Sequence, residues 1–103
     1  MSGRSFPAAL DEHTAAHVAE LFRAFSDTSR VRIMSVLVNG KRNVSGLAQM
    51  VGISESAVSH HMRGLRQMRL VSSRKEGKEV YYFLEDEHVI HLFQQGVKHV
   101  QDE

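Results

Sequence analysis

The sequence predicts a mainly α domain with one β-hairpin, and three observations predict it. Five stretches carry apolar residues at helical spacing. Two short stretches within residues 71–84, on either side of a glycine, read as strands instead, the second by its alternation. Glycines and capping residues stand where the helical stretches start and stop. The 103-residue length holds one domain with little room for a second. A domain this short buries only about 60–70% of its unfolded surface, so association between chains would add stability that one chain lacks.

Taken in order, residues 1–12 contain the only proline, Pro7, beside Gly3 and two serines, and read as a flexible N-terminal segment. Residues 13–103 read as the folded domain. Over 13–25, Ala15, Val18, Leu21, Phe22 and Phe25 give an amphipathic first helix. Ser26-Asp27-Thr28-Ser29 offers N-caps for a second helix, whose apolar face uses Ile33, Met34 and Leu37 and which Gly40 stops. A short helix over 44–51 turns Leu47, Ala48 and Val51 inward. Gly52-Ile53-Ser54 breaks it, and Ser54 can cap a helix over 55–69. Strands over 71–75 and 79–84 flank a Glu76-Gly77 turn, with Val80, Tyr82 and Leu84 alternating against Glu79, Tyr81 and Phe83. A final helix runs over 86–101.

Composition excludes several function classes. Without cysteine there is no disulfide framework, thiolate zinc finger, cysteine-held iron–sulfur cluster or cysteine nucleophile. No apolar run approaches the ~20 residues that span a bilayer, and no signal peptide is visible, which predicts a cytoplasmic protein without membrane contact. No nucleophile–base pair with an orienting group and no glycine-rich phosphate loop is legible, so an enzyme is not expected. The net charge of +1 hides an uneven spread: −2 over residues 1–29, +7 over 30–80 and −4 over 81–103. A basic middle between acidic ends suggests a polyanion-binding centre, although basic stretches also occur on ordinary surfaces.

The basic centre coincides with a helix, a tight glycine turn and a second helix, the outline of a helix-turn-helix. At 100° per residue, Val58, Met62 and Leu65 fall within about 60° on the second helix. Ser56, His60, Arg63 and Gln67 share a similar arc on the far side, and Ser59 and the capping Ser54 are further candidates for DNA contact. Hydroxyl, imidazole, guanidinium and amide groups are the types that meet phosphates and base edges in a major groove. The basic hairpin that follows has Arg74, Lys75 and Lys78 at its tip, placed to lie along a DNA backbone. Together these segments predict a winged helix-turn-helix.

The last helix has two faces. Val89, Ile90, Phe93, Val97 and Val100 share an arc of about 100° that should pack on the chain's own core. His88, Leu92, Gln95, His99 and Asp102 lie nearly opposite. His99 and Asp102 sit one turn apart, whereas His88 is about 16 Å away along the axis. An antiparallel copy of the helix would bring His88 of one chain beside His99 and Asp102 of the other, with Asp86 as a fourth donor. Two nitrogens and two carboxylate oxygens suit tetrahedral zinc. The plainer alternative is that Asp86 is an N-cap and the histidines are solvated. His91 lies off the stripe. His13 and His17, at i and i+4, can chelate weakly or simply face water.

The segments LFRAFSDTSRVRIMSVL (21–37), LAQMVGISESAVSHHMRGLRQMRL (47–70) and the run from Val80 to Asp102 with its D-x-H…H-x-x-D pattern resemble the ArsR/SmtB family of metal-sensing repressors. The resemblance covers nearly the whole chain from about residue 13 and implies a homodimeric repressor that binds double-stranded operator DNA metal-free and leaves it when zinc binds. It implies ligands Asp86, His88, His99 and Asp102, two from each chain. Relatives usually carry Glu or His where Asp102 stands, so Glu103 or water is a substitute. The family's cysteine site before the turn is missing, with Asn43 and Ser45 standing about where its cysteines would be. Cobalt and nickel stay open beside zinc, and a metal-independent regulator whose last helix only dimerises is the alternative.

Overall fold

The computed structural model describes residues 9–102. Five helices and three strands follow in the order α1 (Glu12–Ala24), α2 (Thr28–Leu37), β1 (Arg42–Asn43), α3 (Val44–Val51), α4 (Glu55–Gln67), β2 (Ser72–Glu76), β3 (Glu79–Phe83) and α5 (Glu87–Gln101).

Every helix starts on a side-chain cap. The Asp11 carboxylate accepts from the Thr14 amide, Asp27 from Arg30, Asn43 from Gly46, Ser54 from Ala57, and Asp86 from His88 and Val89. Each such bond satisfies a donor that the first helical turn leaves open. Of the four candidates Ser26 to Ser29, Asp27 is the one used, because it directly precedes Thr28, the first helical residue. Gly52 ends α3 at φ 79°, a left-handed conformation that suits glycine, and this sets the sharp turn into α4. The expected end of α4 at residue 69 is two residues late. Met68 is its C-cap, and Arg69 takes the left-handed position at φ 59° that usually falls to glycine.

The sheet has the order β1-β3-β2 and is antiparallel throughout. β2 and β3 pair from Ser72↔Phe83 to Glu76↔Glu79, which places the turn at Gly77-Lys78 rather than Glu76-Gly77. The reason is that Gly77, at φ 63°, occupies the first central position, where this two-residue hairpin turn demands a positive φ. β1 joins through Arg42↔Tyr82 and Asn43↔Tyr81. A two-residue strand has no apolar alternation to announce it.

The core lies where α2, α3 and α4 meet. Ile33, Met34, Leu37, Leu47, Val51, Val58, Met62 and Leu65 are buried there, with Leu70 and Val71 after α4 and Val89 and Phe93 from α5. Tyr82 and Leu84 pack against this core, whereas Val80, near the hairpin tip, is exposed. Two expected apolar faces are only partly used. On α1, Ala24 alone is buried, and Phe22 keeps 53% of its surface. On α5, Val89 and Phe93 are buried, Ile90 and Val97 are half-buried, and Val100 is 64% exposed, so that arc does not pack wholly on its own chain.

Candidate functional site

Helix α4 is fixed through Val58, Met62 and Leu65, which are buried against the core. A helix anchored along that stripe must present the opposite one to solvent. Ser54, Ser56, Ser59, His60, Arg63 and Gln67 are all exposed. Ser59, Arg63 and Gln67 line one shallow cleft with Arg66 and with Tyr82 of β3, so α4 and the wing form a continuous polar surface. Sequence reasoning omitted Arg66, which stands in the exposed last turn of α4. Ser54 also has a structural duty, since its hydroxyl oxygen accepts the Ala57 amide hydrogen at 3.0 Å.

A second layer holds α4 in place. Arg30 of α2 donates from Nε to Nδ1 of His61 at 3.2 Å, and His61 Nε2 stands 3.8 Å from Asp27 Oδ2. The guanidinium also lies against Gly64, where a Cβ would stand 2.5 Å from it. Arg32 donates to the Val51 carbonyl at 2.7 Å and ties α2 to the end of α3. Sequence reasoning missed these roles because nothing local marks an arginine that reaches across to another helix.

The three wing cations differ in their surroundings. Arg74 contacts Glu76 at 3.1 Å and lies over the Phe83 ring. Lys41, from the segment before β1, reaches the same carboxylate at 2.7 Å. The Lys41 hydrogen bond, with Arg74 adding to it, holds the Glu76 carboxyl below its ordinary range. Lys75 and Lys78 are exposed at the hairpin end. The Glu76 carboxylate therefore braces the hairpin next to its turn, and Lys75 and Lys78 stand exposed beside it.

On α5 the candidate donors separate into two ends. Asp86 Oδ1 accepts the His88 and Val89 amides at 2.8 and 3.4 Å, and His88 Nδ1 lies 3.4 Å from the same oxygen. Those backbone bonds, the His88 amide foremost, hold the Asp86 carboxyl below its usual range. The N-cap reading of Asp86 therefore holds, and its second oxygen enters none of these contacts. The His88 ring is fully exposed. At the other end, Asp102 lies 3.8 Å from Lys98 Nζ. His99 borders an apolar groove shared with Phe22, Phe25, Leu92 and Val100. Among the described residues no three histidine or carboxylate groups converge within one chain, and Glu103 lies outside them. The donor chemistry, imidazole plus carboxylate on exposed helix ends, fits a divalent metal only if two helices contribute. Among the described residues no helix is long and apolar enough to cross a membrane.

Comparison with known proteins follows the same lines. The sequence profile of bacterial regulatory proteins of the arsR family matches residues 27–73. The chain is 43% identical over 96 residues to the transcriptional repressor SmtB homolog of Synechocystis sp., covering 93% of this chain and 73% of that protein. It is 39% identical over 100 residues to the HTH-type transcriptional regulator NmtR of Mycobacterium tuberculosis, covering 96% and 83% respectively. The homodimeric winged helix-turn-helix DNA-binding domain Mb0332 of Mycobacterium bovis matches at a TM-score of 0.79 and 31% identity, over 100% of this chain and 92% of that one. With the turn, the capped α4 and the wing all in place, the chain belongs to the arsR family of bacterial regulatory proteins.

Proposed function

We propose that the chain is a metal-responsive transcriptional repressor that binds operator DNA as a metal-free homodimer in the cytoplasm and releases it when zinc binds between the two α5 helices. The observation that carries this reading is the arrangement of α5. It puts Asp86 and His88 at one end and His99 and Asp102 at the other, beside an exposed apolar groove. A second copy laid antiparallel on that groove buries Phe22 and Val100. It also brings the donor pair of one chain beside the complementary pair of the other, twice per dimer by symmetry.

Ser54, Ser56, Ser59, His60, Arg63 and Gln67 meet base edges and phosphates in the major groove, while Arg74, Lys75 and Lys78 follow the backbone beside it. The His88 Nδ1 contact with Asp86 leaves Nε2 of that ring for a metal. Bound zinc would tie one α5 to the other and select a dimer geometry whose recognition helices no longer match successive grooves. Asp102 must turn from Lys98 to take part, and its short side chain makes it the weakest donor of the four.

The test uses a duplex selected in vitro from a random pool by the metal-free dimer. Zinc is expected to weaken its binding by at least ~10-fold, which is about 1.4 kcal/mol of coupling. His99→Ala is expected to keep DNA affinity and lose that response. Cobalt(II) is expected to give intense tetrahedral absorption that zinc abolishes. A full zinc response in His99→Ala would reject the site. Tight DNA binding with no metal effect in the unaltered chain would instead establish a metal-independent regulator whose last helix only dimerises.

A further inference from the structure

Helix α1 carries a pair of imidazoles that neither the DNA-facing surface nor α5 uses. His13 and His17 are i and i+4, with ring centres 4.4 Å apart and planes at 60°. A metal–nitrogen bond of about 2.1 Å places a bound ion about 3.2 Å from each ring centre. Two rings in cis positions at 90° then have centres about 4.5 Å apart. The observed separation meets that requirement on a backbone the helix has already fixed. Both rings are exposed. They lie about 150° round the helix from Ala15, Val18 and Phe22, so covering that apolar stripe leaves them open. Every Asp, Glu, Lys or Arg among residues 9–22 is acidic, namely Asp11, Glu12 and Glu20, which favours a cation there. No third donor of the described residues converges on the pair, so water must complete the coordination. That suits octahedral nickel(II) or tetragonal copper(II) better than a zinc site closed by protein.

We propose that His13 and His17 form a second site for a late divalent transition metal, independent of α5, bound through two cis imidazoles. A metal bridging one turn clamps the first half of α1, whose residues 12–20 are all exposed.

Nickel(II) is titrated calorimetrically into the full chain carrying His88→Ala and His99→Ala, which removes both imidazoles of the α5 donor set. One nickel per chain is expected, and adding His13→Ala with His17→Ala should weaken it by at least ~10-fold. Hydrogen exchange of the α1 amides should slow with nickel in the first protein and not in the second, a readout that nickel held elsewhere does not move. Alanine favours helix at both positions, and circular dichroism checks that α1 persists. His17→Ala alone, which leaves a single imidazole, should show the same loss. Absence of nickel binding in the His88/His99 variant would overturn the assignment. So would unchanged affinity after His13 and His17 are replaced, or unchanged α1 exchange.

Discussion

Asp86 caps α5 through Oδ1, and in the proposed function its other oxygen would be a metal donor. Because folding depresses its pKa, its contribution to stability is complete above the unfolded value and is lost as pH falls through the folded one. Asparagine caps as well as aspartate but does not titrate. Asp86→Asn should therefore keep the α5 start, flatten the acid limb of a pH-dependent unfolding curve below about pH 4, and weaken zinc at least ~10-fold. Asp86→Ala should lose both cap and ligand. An Asp86→Asn chain that binds zinc unchanged would show the carboxylate to be a cap only. Gly64 presents a different conflict. Alanine there gains about 1 kcal/mol of helix propensity but drives a methyl into the Arg30 guanidinium, displacing it from His61. A hydrogen bond from a charged donor is worth about 1.5–3 kcal/mol, so it outweighs the gain. Gly64→Ala should lower stability by roughly 1 kcal/mol in urea unfolding. A more stable protein would mean that Arg30 finds another place at no cost.

Among the elements, the proposed function divides the work of recognition between α4 and the wing. The α4 face is polar and set rigidly by three buried residues, whereas the tip of the wing carries exposed lysines that act as point charges. Lys75→Ala with Lys78→Ala should weaken all duplexes alike and reduce the slope of log affinity against log salt by about 1 for each phosphate no longer neutralised. Arg63→Ala should instead cost about 1–3 kcal/mol on the selected sequence and relax discrimination at one position. Fluorescence anisotropy across a salt series separates the two. A wing double variant with an unchanged salt slope would place those lysines away from the backbone. Near the turn, Glu76 between Lys41 and Arg74 ties the outer end of the hairpin to the segment before β1.

For the whole molecule, the exposed apolar groove between α1 and α5 is the surface on which the proposed homodimer would close. Phe22 and Val100 are too exposed, at 53% and 64%, for residues whose helical spacing marks them as core. Phe22→Glu should shift sedimentation from dimer to monomer. Operator affinity should then fall by about two orders of magnitude or more, since two half-sites no longer bind together. A dimer that survives the charge would place the interface elsewhere. If zinc displaces DNA, linkage requires DNA to weaken zinc by the same factor, so both titrations must report one coupling energy.

Much of this was legible in the chain. The periodicity of Val58, Met62 and Leu65 specified which side of α4 is buried, because a 3.6-residue repeat has one inward face wherever the helix lies. The caps, the Gly52 turn and the hairpin were equally local, since each depends on one or two residues and their own backbone. Local signals erred by a residue or two where boundaries depend on a single φ, as at Arg69 and Gly77. Relations between distant segments lay beyond them. Arg30 reaching His61 across 31 residues, Lys41 reaching Glu76 across 35, and the pairing of β1 with β3 are contacts that no spacing rule encodes. The class of fold, the polar face of α4 and the candidate donors follow from the residues alone, because helix and turn formation are short-range. The separation of the α5 donors was legible too, because a helix's rise per residue keeps its two ends apart. What emerges only when the elements pack is that part of the apolar surface of α1 and α5 stays uncovered, because burial depends on how whole elements meet.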